Sequence, residues 1–211
     1  MSDVMQLRLA AREIFDHALC AVDAGEALKN AIRFEHLTLR VGETQFDLGT
    51  DSGIYCIAVG KAARAMAAAL DEVLGRRLVA GLIAAPAGKQ KLADRWQCFE
   101  GGHPLPNDQS LAAASVAFAL LNRANDERAL VIFLVSGGGS AMIEWPINDE
   151  ITLSDLQTTN RILVTSGASI SEINAVRRAF SFIKGGRLAA KAPNCDQITL
   201  IISDVLSGEE W

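Results

Sequence analysis

The chain has 211 residues, half of them hydrophobic, and its 20 basic and 25 acidic side chains give a net charge of −5. That is enough apolar material for one sizeable core, at a length that fits a large single domain or part of something longer. The acidic balance, without any long Lys/Arg run, argues against a nucleic-acid or anionic-membrane surface and leaves small molecules as the expected partners.

The first twenty residues mix acids and bases through an apolar periodicity, unlike a secretory leader, and no apolar run is long enough to span a bilayer. The expected compartment is the cytoplasm, with no membrane partner. Four scattered cysteines, Cys20, Cys56, Cys98 and Cys195, form neither a zinc motif nor a disulfide framework.

Leu7, Ala11, Ile14, Phe15, Ala18, Leu19 and Val22 recur at three- and four-residue intervals, which predicts an amphipathic helix ending near Gly25. A second helix is predicted over 26–36, then a short β-like excursion at 37–41 and 46–48. Residues 54–59 read as a buried strand that ends at Gly60 and feeds a helix over 61–74. Strands follow at 78–84 and 96–99, a helix over 108–122 with Asp108 as its cap, and a strand over 129–135. Helices over 152–165 and 169–183, capped by Ser154 and Ser169, precede an apolar strand at 197–202. Such alternation predicts an α/β fold with a Rossmann-like, doubly wound, mostly parallel sheet and helices on both faces. A stop at Trp211, just past a buried-type strand, is expected of a truncated form, because a parallel strand ordinarily leads into a further crossover.

The strand over 129–135 runs into Ser136, Gly137, Gly138, Gly139 and Ser140. Consecutive glycines admit an anion close to the backbone and turn several N–H groups toward it, and serine hydroxyls add donors. A glycine turn without a ligand fits the same residues. Two nucleotide signatures are excluded: Gly81…Gly88-Lys89-Gln90 has the wrong spacing and no Ser/Thr for a P-loop, and Met142 stands where a dinucleotide fingerprint needs a small residue.

Lys61 falls at a strand-to-helix junction, where a bound anion would offset its conflict with the helix N-terminus; a lysine pointing into solvent is the alternative. Asn174, Arg177, Arg178, Ser181 and Lys184 follow helical spacing away from the apolar stripe Ile173, Val176, Phe180 and Ile183, making a donor-rich ridge that Gly185, Gly186 and Arg187 continue. Asp204, after the last strand, is placed either to hold Mg²⁺ or to cap a turn. His103, between two glycines and Pro104-Leu105-Pro106, is the one histidine in a setting suited to orienting a substrate or exchanging a proton.

Taken together, Val59-Gly60-Lys61-Ala62-Ala63, Gly101-Gly102-His103-Pro104-Leu105-Pro106, Leu134-Val135-Ser136-Gly137-Gly138-Gly139-Ser140-Ala141, Glu172-Ile173-Asn174-Ala175-Val176-Arg177-Arg178, Ile183-Lys184-Gly185-Gly186-Arg187-Leu188-Ala189 and Ile202-Ser203-Asp204-Val205 resemble, in order, the motifs of the glycerate 2-kinases that carry a C-terminal MOFRL domain. The resemblance implies a two-domain α/β enzyme that transfers phosphate from ATP, with Mg²⁺, to the 2-hydroxyl of D-glycerate, giving 2-phosphoglycerate. Residues 1–211 would be its N-terminal domain without the MOFRL domain, which in the family supplies a further catalytic arginine. By matching position, Lys61 and Asp204 are the implied catalytic residues, with Asp204 also the implied metal ligand. Ser136, Gly137, Gly138, Gly139, Ser140, Asn174, Arg177, Lys184 and His103 are the implied substrate or phosphate contacts. The implied partners are a small hydroxy acid and a nucleotide, together with a separate C-terminal domain or a second copy of the chain. Where the family usually has a Pro-Gly-Asp-type turn after Ser-Asp-Val, this chain has Leu206-Ser207-Gly208-Glu209-Glu210, which leaves a second acidic ligand without a counterpart. The competing expectation is a truncated, non-catalytic domain that binds an anion or a partner.

Overall fold

In the computed structural model, which describes residues 3–50, 52–90 and 92–203, the N-terminal periodicity becomes helix α1 (Asp3–Ala21). It buries none of its residues: Leu7, Ile14 and Phe15 are more than half exposed. Asp23 ends that segment and opens α2 (Ala24–Ala31), its carboxylate accepting the Glu26 N–H at 2.9 Å, so Gly25 lies in the first turn of α2 rather than at the end of α1.

The helix predicted over 26–36 stops at Ala31. Beyond it the chain folds as an antiparallel meander of β1 (Ile32–Glu35), β2 (Thr38–Val41) and β3 (Thr44–Asp47). The reversal rests on His36 and Leu37, at φ 49° and 69°, between the paired residues Glu35 and Thr38. Two consecutive left-handed residues suit a two-residue hairpin, but neither carries the Asn-Gly chemistry that announces one.

The main sheet contains β4 (Ile54–Val59), β5 (Leu78–Ala85), β6 (Trp96–Glu100), β7 (Leu130–Ser136) and β8 (Gln197–Ile202), all parallel, in spatial order β6-β5-β4-β7-β8. Counted within the sheet this is 3-2-1-4-5, the doubly wound order. The central β4 and β7 are almost wholly buried, which explains their unbroken aliphatic runs, whereas edge strand β8 alternates.

Helix α3 (Ala63–Leu74) covers one face through Ala63, Met66, Ala67, Leu70 and Leu74, sharing a core with Leu28 and Ile32. Helix α4 (Asp108–Glu127) covers the other through Ala113, Ala114, Ala117 and Leu121. The alanines let both helices lie close against the sheet. Beyond β7 come α5 (Gly139–Met142), α6 (Leu153–Thr165) and α7 (Ile170–Phe180). Among the described residues no helix is long and apolar enough to cross a membrane.

Helix ends differ from expectation in small, explicable ways. Asn107, not Asp108, caps α4, because its extended backbone aims its side chain at the Ser110 N–H; Asp108 becomes the first helical residue, where its charge still faces the positive helix end. Thr152, not Ser154, caps α6 in a box with Asp155, and Ser169 caps α7 as expected. Helix α3 begins at Ala63, leaving Lys61 in the turn before it, and α7 ends at Phe180, where Ser181 turns extended.

Tyr55 is fully buried on β4 and donates its hydroxyl to Glu127 at 2.6 Å, with the Arg123 guanidinium 5.5 Å from its ring centre. Burial, reinforced by the Glu127 carboxylate, pushes its pKa up from 10.0 to about 12. Because the chain has a single tyrosine, tyrosinate absorbance reads this group alone. We expect a midpoint near 12 in the folded protein and near 10 in denaturant. The associated stability is complete below the unfolded value and is lost as pH rises through the folded one. A native midpoint near 10 would contradict the burial of this hydroxyl.

Candidate active site

Strand order reverses between β4 and β7, so the segments leaving their carboxyl ends diverge and open a crevice there. The exit from β4 requires Gly60: its φ is 111°, and a Cβ on it would lie 2.3 Å from the Ser136 carbonyl oxygen. Across this contact the Lys61 N–H donates to the Gly137 carbonyl at 2.9 Å, and the Ala62 N–H donates to the Ser136 hydroxyl at 3.0 Å. That hydroxyl in turn donates to the Val59 carbonyl. Ser136 therefore ties one strand exit to the other, with its hydroxyl turned into the protein.

Gly137, Gly138 and Ser140 reach the surface beyond Ser136. Gly138 takes φ 83°, and a Cβ placed there would lie 3.3 Å from Lys61 Cε and 3.4 Å from His103 Cε1. Lys61, His103 and, at 3.2 Å, the Met142 methyl thus crowd the Gly138 position before the short helix α5, with Ser140 exposed beside it. Gly139 packs on Val59.

The His103 loop is pinned from behind by Ser110, a fully buried hydroxyl that accepts the Gly102 and Asn107 N–H groups and donates to the Ala141 carbonyl at 2.8 Å. Gly101 is pressed so close to Met142 that a Cβ would meet its carbonyl oxygen at 2.3 Å. Gln157 of α6 donates to the Pro106 carbonyl at 2.8 Å, which joins the loop to the α6–α7 pair.

On that side stands Glu144, a buried carboxylate that sequence reasoning missed. It accepts hydrogen bonds from the Ser181 hydroxyl and the Lys184 ammonium, and from the Trp145 N–H at 3.0 Å. Its one sequence signal is weak: an acid set between Ile143 and Trp145-Pro146. Burial draws the Lys184 pKa down, and the Glu144 charge opposes that shift. Arg177 donates to the Asn160 side-chain oxygen at 2.7 Å. The donor ridge expected on one helix face is accordingly divided. Ser181 is wholly buried, and Arg187 folds back to donate to the carbonyls of Arg178 and Ser181. Phe180, expected in the apolar stripe, is 39% exposed.

Two adjoining cavities result. The larger, about 350 Å³, has apolar walls from Ile57, Val59, Phe133, Val135, Ile143, Ile183 and Leu188, and a polar rim of Gly137–Gly139, Asn174, Arg178 and Lys184. The smaller, about 200 Å³, lies between His103, Gly138 and Ser140 on one side and Glu144, Asn160, Arg177 and Lys184 on the other. Gly138, Ser140 and Lys184 belong to both. Of the residues singled out from sequence, Lys61, His103, Gly137–Ser140, Asn174, Arg177 and Lys184 thus gather at one end of the sheet, and Ser136 supports them from within. Asp204 lies outside the described residues. Among the described residues no group of three or more His, Cys, Asp or Glu side chains is arranged to hold a metal.

Comparison with known proteins agrees with this architecture. Residues 10–210 match the family model described as "Domain of unknown function (DUF4147)". The chain is similar to a glycerate kinase of Rattus norvegicus, with 37% identity over 98% of this chain and 42% of the relative. It is also similar to a glycerate 2-kinase of Pyrococcus horikoshii, with 38% identity over 96% of this chain and 44% of that protein. A crystal structure of the PH0495 protein of Pyrococcus horikoshii OT3 superposes with a TM-score of 0.81 at 36% identity, covering 97% of this chain and 45% of that one. The chain therefore spans under half the length of these relatives and belongs to the DUF4147 family.

Proposed function

We propose that the chain is part of an ATP-dependent kinase that phosphorylates the 2-hydroxyl of D-glycerate or a closely similar small hydroxy acid. The observation that carries this reading is the meeting of Lys61, His103 and the Gly138 backbone at the switch point of the sheet, in a chain whose relatives are named glycerate kinases. Gly138 lines both cavities, which brings its backbone within reach of an anion held in either. In the step proposed, the substrate hydroxyl oxygen attacks the terminal phosphorus of ATP, the bond to the bridging oxygen breaks and ADP leaves. In this reading the Lys61 ammonium stabilises charge on the transferring group, the Gly137–Ser140 segment orients it, and His103 orients the hydroxyl or accepts its proton.

Asp204 is the carboxylate we assign to hold Mg²⁺, since such sites use one or two protein carboxylates; the ion, when bound, would supply neutralisation of phosphate charge. The reaction needs neither nucleic acid nor membrane, and the cytoplasm suits it. A C-terminal MOFRL domain, or a second copy of the chain, would close the cleft and exclude water.

A second reading is favoured by one observation: the chain spans under half the length of its relatives. On it, the 211-residue chain alone binds anions without turnover. Coupled ADP release with D-glycerate, L-glycerate and hydroxypyruvate, measured on this chain beside a form extended by the C-terminal half of its relatives, separates the two. We expect the extended form to turn over D-glycerate, and the chain alone to fall far below the roughly 1–100 per second typical of kinases. Turnover in that range by the chain alone would show that the site is complete within these residues.

In the extended form, Lys61→Ala should lower kcat by about a hundredfold or more with the circular dichroism unchanged, and Lys61→Arg should recover only part, since a planar fork does not replace a compact ammonium. Wild-type turnover would leave Lys61 a solvated surface residue. Gly138→Val places a β-branched side chain at φ 83° between Met142, Lys61 and His103, so ATP and acid affinity should fall far more than the preceding strand β7 is disturbed, although the strained backbone will also lower stability. Unchanged affinity would make this segment a turn only.

A further inference from the structure

Arg177 presents an unresolved electrostatic problem. Its side chain is partly buried, and its Nε–H is satisfied by the neutral oxygen of Asn160. Among the described residues it forms no ion pair. The carboxylate whose charge favours it, Glu144, is already bonded to Lys184, so the guanidinium is drawn from water with only a shared counter-charge, and an anionic ligand that brings its own charge offsets that cost. Close by, Lys184 and Glu144 neutralise each other as a pair, so the smaller cavity retains about one positive charge, that of Arg177.

Size and charge then select the ligand. About 200 Å³ is below the range of about 300–1,000 Å³ usual for drug-sized ligands, yet it is ample for a three-carbon acid. A single uncompensated cation matches a monocarboxylate and falls short of a triphosphate. The larger cavity, with its apolar walls, suits a nucleoside better.

We propose that the cleft between the His103 loop and helices α6 and α7 is a carboxylate subsite for a small 2-hydroxy acid, in which Arg177 binds the carboxylate and Asn160 is the positioning residue that holds the guanidinium. This assignment rests on the hydroxy-acid kinase reading. Asn160 and Arg177 come from different helices, so the α6–α7 pairing sets the aim of the guanidinium. A planar fork held at one nitrogen keeps its remaining donors available for two-point recognition of a carboxylate.

The test is titration calorimetry on the chain and on the extended form with D-glycerate, D-lactate, glycerol and ADP. D-glycerate and D-lactate, which share the carboxylate, should bind, and glycerol, which lacks it, should not. Arg177→Gln should weaken D-glycerate binding about tenfold or more while ADP binding stays within about twofold. Asn160→Asp should also weaken D-glycerate binding, because it gives Arg177 a carboxylate of its own, while the melting temperature holds or rises. A purely structural role for Asn160 would leave acid binding unmoved in that variant. The proposal is overturned if Arg177→Gln weakens ADP instead of the acid, if Asn160→Asp binds D-glycerate like wild type, if glycerol binds as well as D-glycerate, or if neither wild-type form binds D-glycerate. Acid binding through Arg177 without phosphoryl transfer would sink the kinase reading and leave the subsite standing. Transfer undisturbed by Arg177→Gln would do the reverse.

Discussion

The close approach of two strand exits is the constraint on which this molecule depends. Parallel pairing brings Val59 of β4 beside Val135 of β7, and the chain must then leave in two directions from nearly one point. Gly60 makes this possible by omitting the side chain that would strike the Ser136 carbonyl, and the Ser136 hydroxyl, accepting from Ala62 and donating to Val59, fastens the two exits together. With that junction rigid, Lys61 and the Gly137–Ser140 segment hold a fixed relation to each other. A group that must meet charge in a transition state is worth most when it is already in place.

Around the junction the protein builds outward through buried polar contacts rather than added apolar mass. Ser110 gathers the His103 loop, the start of α4 and the short helix α5, and Gln157 passes that support on to α6. A hydroxyl of this kind specifies geometry because an unmade buried hydrogen bond costs more than a made one contributes. The cleft is thereby lined from three separated parts of the chain, each anchored to the same sheet end.

The pair formed by Glu144 and Lys184 follows a different logic. Removing two charges from water repays little in net stability even when their geometry is good, so a buried ion pair is weak grounds for a structural role. Here it fixes an ammonium on the wall common to two cavities, with the Ser181 hydroxyl and the Trp145 N–H completing the carboxylate's partners. Arg177 differs in having a neutral hydrogen-bond partner, Asn160, and shares the Glu144 charge with Lys184 rather than pairing with a carboxylate of its own.

Residue pattern alone determined the α/β alternation, because unbroken aliphatic runs at β4, β5 and β7 can be satisfied only by burial on both faces, and their spacing leaves room for crossover helices. It also marked the strand exits, since glycines and serines after such a run leave backbone donors open. Tertiary structure decided what periodicity does not encode. The turn at His36 and Leu37 lacks the usual residues for left-handed backbone, and Ser136 turned inward only because β4 lay beside it. Glu144 met Ser181 and Lys184 across about forty positions, and Asn160 met Arg177 across 17. Local sequence records which faces of an element shun water. Which charge meets which across a cleft is set only when the sheet has brought distant segments to the same end.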